Sequence, residues 1–219
     1  MRQYRFVDAV IWDYDGTLVA TRNADKEAVE RLLSDEPAAQ AGVQEFWATE
    51  GLPIRTRIER AWPGRLDDIL PYFNAHVDPQ RFRGILTVIQ TLRREGYRLG
   101  VVSSRQRDLL EWGLKVSGLR PYFESVIGLD DVHAPKPDPE GLLKTIELLE
   151  VHPSQAIFIG DSDVDIRAGK AANIATWHAA WSLEGRRTNF AATYRLHNPK
   201  DVLSGIDMLG QEPTGTEGR

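Results

Sequence analysis

Short apolar runs that end in polar side chains recur along the chain. Three of them cover residues 9–12, 98–102 and 155–159, and an acidic or hydroxyl residue follows each within two positions. Short β-branched runs bounded by turn-forming residues are typical of buried strands. Weaker apolar runs predict three more strands, at 125–128, 174–177 and 192–196.

Between these runs, apolar residues recur with the period of a helix. One stripe has the spacing i, i+3, i+4, i+7, which places its members on a single helix face. Its members are Ile85, Val88, Ile89 and Leu92. Strands that alternate with helices of this length form parallel sheets built from βαβ units. The pattern therefore predicts an α/β fold: a Rossmann-like parallel sheet core with helices on both faces.

One long stretch, residues 20–82, breaks this alternation. It shows helical patches separated by proline and glycine, and no convincing strand. We therefore predict a small all-helical cap at 20–82, inserted after the first strand of an α/β catalytic core at 1–19 and 83–209. Residues 210–219 contain no hydrophobic side chain and are predicted to form a disordered tail.

The composition narrows the class of protein. A chain of 219 residues with 42% hydrophobic and 27% charged residues is ordinary for a globular protein. The absence of cysteine excludes a disulfide scaffold, a thiolate zinc site and a cysteine nucleophile. A net charge of −5 lacks the basic excess of a nucleic-acid-binding protein. Without a long apolar run, and with charges interrupting the N-terminus, we expect a cytoplasmic protein with no membrane contact.

Reactive side chains follow the predicted strands. Asp13 and Asp15 come after the first strand, Ser103 after the second, and Asp161 after the third long run. In an open α/β sheet, ligands bind outside the carboxyl ends of the strands. We therefore expect these four side chains to lie at one place, although they are far apart in sequence.

Acidic residues dominate this predicted place. The set is Asp13, Asp15, Asp161, Asp163 and Asp165. Two unit charges about 4 Å apart interact by roughly 4 kcal/mol at an effective dielectric constant near 20, so such a cluster resists folding unless a cation joins it. Carboxylate oxygens without histidine or cysteine suit Mg²⁺, which often binds carboxylates together with a substrate phosphate.

A lysine is the candidate for a second cation. Lys136 lies between Pro135 and Pro137, which stiffen its backbone. Taken singly, each feature has an ordinary alternative: a surface lysine, a turn at the Asp-x-Asp-Gly sequence, or a helix cap at the Ser-Ser sequence. All of them occur in order, at strand ends or in strand-to-helix loops, which favours a shared chemical site.

Four motifs together resemble the haloacid dehalogenase superfamily, in its phosphatase branches. Residues 13–18, Asp-Tyr-Asp-Gly-Thr-Leu, match the first motif of that family. Ser103 matches the second, Lys136 the third, and residues 160–165 the fourth. The resemblance covers residues 9–20 and about 84–205.

The resemblance implies a mechanism that uses an aspartyl-phosphate. Asp13 would attack the phosphorus, and Asp15 would protonate the leaving oxygen and then deprotonate the hydrolytic water. Mg²⁺ would be held by the carboxylates of Asp13 and Asp161 and by the backbone carbonyl of Asp15.

The remaining motif residues are implied to bind the substrate or to orient other groups. Ser103 would bind phosphoryl oxygens and Lys136 would neutralise developing charge. Asp165 would orient Lys136 or metal-bound water, without binding the metal directly. Further implied substrate-binding residues are Gly16, Thr17 and Ser104.

The closer resemblance is to phosphoglycolate phosphatases and related inorganic pyrophosphatases with a helical cap. It lies in the core, at residues 113–119, 129–132 and 180–185. The chain departs from the pattern where Ser104 replaces a common asparagine and Asn173 a common glycine. The cap also looks about one helix shorter than in most relatives.

An arginine in the cap is a candidate for substrate selection. Arg55 follows a Gly-Leu-Pro-Ile sequence, where the cap of this family often presents its substrate-contacting loop. Arginine suits the bidentate recognition of anions, so we expect Arg55 to contact a second anionic group. The alternative is a solvated helix face, in which Arg55, Arg57 and Arg60 pair with Glu59.

These observations predict a Mg²⁺-dependent phosphatase that hydrolyses a small phosphorylated metabolite or pyrophosphate through an aspartyl-phosphate. Within the same superfamily, the alternative is a phosphomutase. From another class, it is a phospho-receiver signalling domain, although such domains are shorter and have no cap. We expect a monomer or a weak homodimer.

Overall fold

A six-stranded parallel sheet forms the centre of the molecule, in the order β3-β2-β1-β4-β5-β6. The computed structural model describes residues 7–49, 52–74, 80–182, 185–186 and 192–210. The strands are β1 (Ala9–Trp12), β2 (Arg98–Val102), β3 (Ser125–Ile127), β4 (Ala156–Gly160), β5 (Ala175–Ala179) and β6 (Tyr194–Leu196). This order confirms the predicted Rossmann-like core.

Core helices cover the two faces of the sheet. They are α5 (Ile85–Arg94), α6 (Arg107–Val116), α7 (Glu140–Leu148), α8 (Asp163–Ala171) and α9 (Asp201–Leu209). Successive side chains of a strand point to opposite faces, so the central strand β1 contributes to two hydrophobic clusters. Val10 and Trp12 pack with apolar residues of α5, α6 and α9, whereas Ala9 and Ile11 pack with those of α7 and α8.

The α-helices of the cap lie between β1 and α5. They are α1 (Thr21–Asp35), α2 (Val43–Ala48), α3 (Ile54–Ala61) and α4 (Leu66–Asn74). They enclose a separate hydrophobic cluster that includes Leu32, Phe46, Ile58, Trp62 and Ile69. The all-helical insertion after the first strand is therefore confirmed. The exact domain limits remain predictions, and the predicted tail beyond residue 210 lies outside the described residues.

Two adjacent chain segments connect the cap to the core. The backbone N–H of Ala20 donates to the carbonyl of Gln80 at 2.8 Å, and that of Phe82 donates to Leu18 at 3.2 Å. The chain leaves at the carboxyl end of β1 and returns beside the same point. The cap is thus attached at the edge of the sheet where the reactive side chains were expected.

A departure from the family pattern has a simple backbone explanation. Asn173, just after α8, has φ of 55°, in the left-handed region. Glycine adopts this conformation freely, and asparagine tolerates it better than most residues. Within the described ranges, no helix is both long and apolar enough to cross a membrane.

Candidate active site

The carboxyl ends of the central strands bring several predicted residues together. Asp13 follows β1, and its backbone N–H donates to the carbonyl of Ile159 in β4 at 2.8 Å. Ser103 follows β2, and its N–H donates to the carbonyl of Ile127 in β3 at 3.0 Å. These bonds continue the sheet ladder, so both residues have a fixed backbone and lie buried.

Lys136, from the loop between β3 and α7, lies in the middle of this edge. Its Nζ donates to Oδ1 of Asp13 and to Oδ1 of Asp165, both at 2.6 Å. It also lies 3.3 Å from the carbonyl oxygen of Val102. The side chain is only 7% exposed. The structure thus places a buried ammonium group between two buried carboxylates.

Burial and neighbouring charges shift the pKa values of Asp13 and Lys136. Burial raises the pKa of Asp13 to about 7; the nearby charge of Lys136 acts against this shift, whereas that of Asp165 adds to it. Burial alone would lower the pKa of Lys136, but the two adjacent carboxylates outweigh it and raise the pKa above its usual range. Lys136 therefore keeps its positive charge at neutral pH.

Three carboxylates of the site could hold a metal ion. Asp13, Asp161 and Asp165 are all buried, and each offers an oxygen within 4.8 Å of the others. Three hard oxygen donors fit a cation such as Mg²⁺ better than a soft metal. The expected ligand set differed in two respects, because it included the backbone carbonyl of Asp15 and placed Asp165 outside the direct ligands.

Asp161 is held in place from two sides. The hydroxyl of Ser182 donates to its Oδ2 at 2.9 Å, and the N–H of Gly185 donates to that hydroxyl at 2.8 Å. On the other side, a Cβ added at Gly16 would lie 2.1 Å from the same Oδ2. Gly16 has φ of 75°, so both its backbone conformation and its lack of a side chain are required here. Ser182, which lies 21 residues after Asp161, was not among the residues predicted for this site.

Asp165 is fixed by the start of helix α8. Its Oδ2 accepts from the N–H of Ser162 at 3.1 Å, and the Ser162 hydroxyl contacts the same oxygen. This reciprocal arrangement is a capping box. A Cβ added at Gly160 would lie 2.4 Å from the Cβ of Asp165, so the carboxylate packs directly on the strand end. Oδ1 is left to face Lys136.

Asp15 does not join the carboxylate cluster but pairs with an arginine that the sequence analysis missed. Nε of Arg105 lies 2.9 Å from both carboxylate oxygens of Asp15, and Nη2 lies 2.8 Å from Oδ1. Arg105 stands two residues after Ser103, in the same strand-end loop. Its position close after Ser103 could have predicted a second positively charged side chain at the site.

The other predicted residues differ in burial and in the partners they contact. Thr17 is fully buried, and its carbonyl accepts from the indole N–H of Trp181 at 3.0 Å. Ser104 is half-buried, whereas Asp163 is exposed and lies 3.6 Å from Arg167. Three of the five aspartates therefore share the cluster, and Asp163 does not.

The cap arginines do not form one solvated face. Arg55 and Arg60 are exposed, but Arg57 is buried, so that alternative is wrong for Arg57. Helix α3 turns Arg57 toward the cap interior together with Ile58 and Ala61. The predicted contact of Arg55 with a substrate remains a prediction.

The buried arginine has its own partners. Nη1 of Arg57 lies 2.6 Å from Oδ2 of Asp25 on α1, and its guanidinium carbon lies 3.9 Å from the centre of the Phe46 ring. Glu59, the expected partner, instead accepts from the N–H of Gly64 at 3.0 Å.

A parallel sheet with an aspartate–lysine cluster at its carboxyl edge, and a helical cap inserted after the first strand, defines a capped α/β hydrolase. The chain matches the haloacid dehalogenase-like hydrolases over residues 10–179 and belongs to that family. The predicted family and the prediction of a phosphatase-type hydrolase are confirmed at this level.

Individual relatives agree with this assignment. The chain is 31% identical to the pyrophosphatase PpaX of Anoxybacillus flavithermus over 94% of this chain and 99% of that protein. A Lactobacillus plantarum structure, provisionally named a phosphoglycolate phosphatase, superposes with a TM-score of 0.73 at 25% identity, over 90% of this chain and 98% of that one. The Bacillus subtilis protein YfnB bound to magnesium superposes with a TM-score of 0.73 at 18% identity, over 93% and 100%.

Proposed function

We propose that this protein is a Mg²⁺-dependent phosphatase that hydrolyses a small phosphorylated metabolite or pyrophosphate through an aspartyl-phosphate on Asp13. The observation that carries the proposal is the buried contact of Lys136 with Asp13 and Asp165, at 2.6 Å each, beside the carboxylate of Asp161. A buried nucleophile next to a fixed cation suits attack on an anionic phosphoryl group.

Asp13 performs the first chemical step. One carboxylate oxygen bonds to phosphorus while the bond from phosphorus to the leaving oxygen breaks. Lys136 orients the Asp13 carboxylate through Oδ1 and places its charge beside the phosphoryl group. The hydrogen bond from the Asp13 backbone to Ile159 keeps the nucleophile at a fixed position at the end of β1.

Asp15 moves the protons. It donates a proton to the leaving oxygen in the first step and takes a proton from water in the second. That water attacks the phosphorus of the aspartyl-phosphate, which releases phosphate and restores Asp13. The three close contacts with Arg105 hold the Asp15 carboxylate at the mouth of the site.

The carboxylates of Asp13 and Asp161, with the backbone carbonyl of Asp15, would hold Mg²⁺, and Asp165 lies close enough to assist them. When bound, Mg²⁺ supplies positive charge that offsets the repulsion between the carboxylates and the phosphate. Ser103, at the end of β2, would bind a phosphoryl oxygen, together with Ser104 and the backbone of Gly16 and Thr17.

The choice of substrate rests on the relatives. A relative named as a pyrophosphatase matches almost the whole chain at 31% identity, which favours pyrophosphate as the first compound to test. A structural neighbour named as a phosphoglycolate phosphatase makes phosphoglycolate the second.

The test is phosphate release from pyrophosphate, 2-phosphoglycolate and a panel of other phosphorylated metabolites, with and without Mg²⁺. We expect Mg²⁺-dependent release with one preferred compound. Asp13→Asn should abolish it, whereas Asp163→Asn should retain it, because Asp163 belongs to the same motif as Asp161 and Asp165 but is exposed and lies beside Arg167 rather than in the cluster. An intact, metal-supplied protein that releases phosphate from no compound would contradict the proposal, as would an active Asp13→Asn variant.

A further inference from the structure

Arg105 occupies a place at the site that the chemistry of the phosphoryl group itself does not require. We infer that Arg105 binds a second anionic group on the leaving-group side of the substrate. The preferred substrates are then phosphate esters or anhydrides whose leaving group carries its own carboxylate or phosphate. This inference rests on the proposed function, because it uses the role proposed there for Asp15.

Arg105 lies within reach of the leaving group of the substrate. The guanidinium of Arg105 contacts both carboxylate oxygens of Asp15 at 2.8–2.9 Å. A leaving oxygen that takes a proton from Asp15 must lie within about 3 Å of that carboxylate. Arg105 is then within about 6 Å of the leaving oxygen, which is the reach of a carboxylate or phosphate one or two bonds further along the leaving group.

The guanidinium of Arg105 has N–H donors beyond those that contact Asp15. A guanidinium carries five N–H donors in a planar fork. The contacts with Asp15 come from Nε and Nη2, and Nη1 has no hydrogen-bond partner among the described residues. The side chain is 26% exposed, so a ligand can reach the remaining donors. Arg105 can therefore bind an anion while it keeps its contacts with Asp15.

Hydrogen bonds hold the backbone of Arg105 in place on both sides. Its N–H donates to the Ser103 hydroxyl at 3.2 Å, and its carbonyl accepts from Leu129 at 2.6 Å. A Cβ added at Gly128 would lie 3.0 Å from that carbonyl oxygen and 2.7 Å from the Cα of Arg107. Gly128 thus allows two loops to pack closely, which fixes the guanidinium relative to the strand ends.

The charge of Arg105 also reaches the cap. Burial raises the pKa of Asp25 on α1; the charge of Arg57 opposes this shift, and so does that of Arg105, from the core. Asp25 is already paired with Arg57 at 2.6 Å. The charge of Arg105 therefore acts on a residue of cap helix α1 as well as on Asp15 of the core.

The alternative is that Arg105 only positions Asp15. In that case, loss of the guanidinium would affect all phosphate compounds alike. A residue that binds a second anion affects only the compounds that carry one. The two roles are therefore separated by ligands that share the phosphoryl group and differ in the rest.

The experiment measures binding by isothermal titration calorimetry in Mg²⁺, with phosphonates that the enzyme cannot hydrolyse. Propylphosphonate carries one anionic group, 3-phosphonopropionate adds a carboxylate at the same length, and methylenediphosphonate adds a second phosphonate. The proteins are the wild type, Arg105→Met, Arg105→Lys and the control Arg107→Met. Arg107, two residues further along the chain, is the first residue of α6, and its guanidinium is held by Glu111 and Asp131.

We expect the wild type to bind at least one doubly anionic ligand about tenfold or more tightly than propylphosphonate. Arg105→Met should remove that preference without weakening propylphosphonate, Arg105→Lys should retain part of it, and Arg107→Met should keep it. The ligand with the larger loss identifies whether the second anion is a carboxylate or a phosphate. Equal weakening of all three ligands in Arg105→Met, or no preference in the wild type, would overturn the inference.

Phosphate release from the wild type separates this result from a failure of the proposed function. A protein that hydrolyses simple alkyl phosphates but shows no preference for a second anion would overturn the role of Arg105 alone. A protein that binds none of the phosphonates and hydrolyses no phosphate compound would overturn both.

Discussion

The core site and the cap each contain a buried ion pair, and the two pairs are built differently. In the core, Lys136 contacts Asp13 and Asp165, and a third carboxylate, that of Asp161, lies beside them. In the cap, Arg57 forms an ion pair with one carboxylate among the described residues, that of Asp25. The core cluster therefore has an excess of negative groups, whereas the cap pair is balanced.

This difference separates a site that awaits a ligand from a contact that completes a fold. An unbalanced cluster of buried carboxylates is stabilised by an added cation, whereas a balanced pair needs none. We therefore expect the core to respond to Mg²⁺ and the cap contact to be indifferent to it. Substitutions in the two regions can break or sharpen this contrast.

The largest effect is expected at Asp13. Asp13→Asn removes the nucleophile and should lower kcat by at least about 10³-fold. In the absence of metal, the variant should be as stable as the wild type or more so, because burial disfavours the Asp13 carboxylate and raises its pKa to about 7. Phosphate release and thermal unfolding of the metal-free protein check both parts, and appreciable residual activity would refute the role of Asp13.

The next effect concerns the lysine of the core. Lys136→Met leaves Asp13 and Asp165 without their shared cation, and removal of one partner from a buried pair costs about 3–5 kcal/mol. Activity should also be lost. Because the defect is an excess of negative charge, Mg²⁺ should recover part of the stability. Chemical denaturation with and without Mg²⁺ measures this recovery, and no recovery would argue against a metal site at these carboxylates.

The cap provides the matched case. Arg57→Met leaves Asp25 buried beside the Phe46 ring and should lower stability by up to about 3 kcal/mol. Mg²⁺ should not restore this loss, because the defect lies away from the carboxylate cluster. Equal recovery by Mg²⁺ in Arg57→Met and Lys136→Met would remove the contrast between the two regions.

Arg55, an exposed arginine of the same helix, is the control. Arg55→Ala should leave stability within about 0.5 kcal/mol of the wild type, since its side chain lies at the surface. If Arg55 contacts an anionic part of the substrate, KM should rise several-fold while stability stays constant. An unchanged KM for every active substrate would contradict that role.

The position of the core site could be predicted from the sequence. Asp13, Ser103 and Asp161 follow apolar runs, and in a parallel sheet the ends of neighbouring strands meet at one edge. The sheet order and the gathering of these residues therefore follow from the pattern of short strands and intervening helices. The particular roles of the side chains came from the family resemblance.

The features that escaped prediction depend on side-chain direction. Asp161, Asp163 and Asp165 are equally acidic in sequence, but the start of α8 turns Asp163 outward and Asp165 inward. In α3, Arg55 and Arg57 are the same type of residue, but only Arg57 is buried, together with Ile58 and Ala61. The partner of Arg57 is 32 residues away, so no local pattern announces it.

The smallest expected effect concerns the loop that carries Lys136. The carboxylate of Glu140, at the start of α7, accepts from the N–H groups of His133 and Ala134 at 2.9 Å each. It also lies 2.7 Å from Nζ of Lys144. Glu140→Gln should therefore loosen this loop and lower kcat a few-fold without affecting the carboxylate cluster. Glu147→Gln, an exposed position on the same helix, is the control.

Acid pH supplies an independent check on this role of Glu140. The contact with Lys144 and the two backbone N–H groups lower the pKa of Glu140 from 4.5 to about 2. Below pH 4.5 the unfolded chain binds a proton that the folded chain does not, so the stabilising contribution is complete above that pH and is lost as the pH falls toward 2. The Tm difference between wild type and Glu140→Gln should accordingly be largest near neutral pH and shrink between pH 4.5 and 2. A difference that stays constant over that range would show that the Glu140 carboxylate does not hold the loop, and the position of Lys136 would then depend on its contacts with Asp13, Asp165 and the carbonyl of Val102.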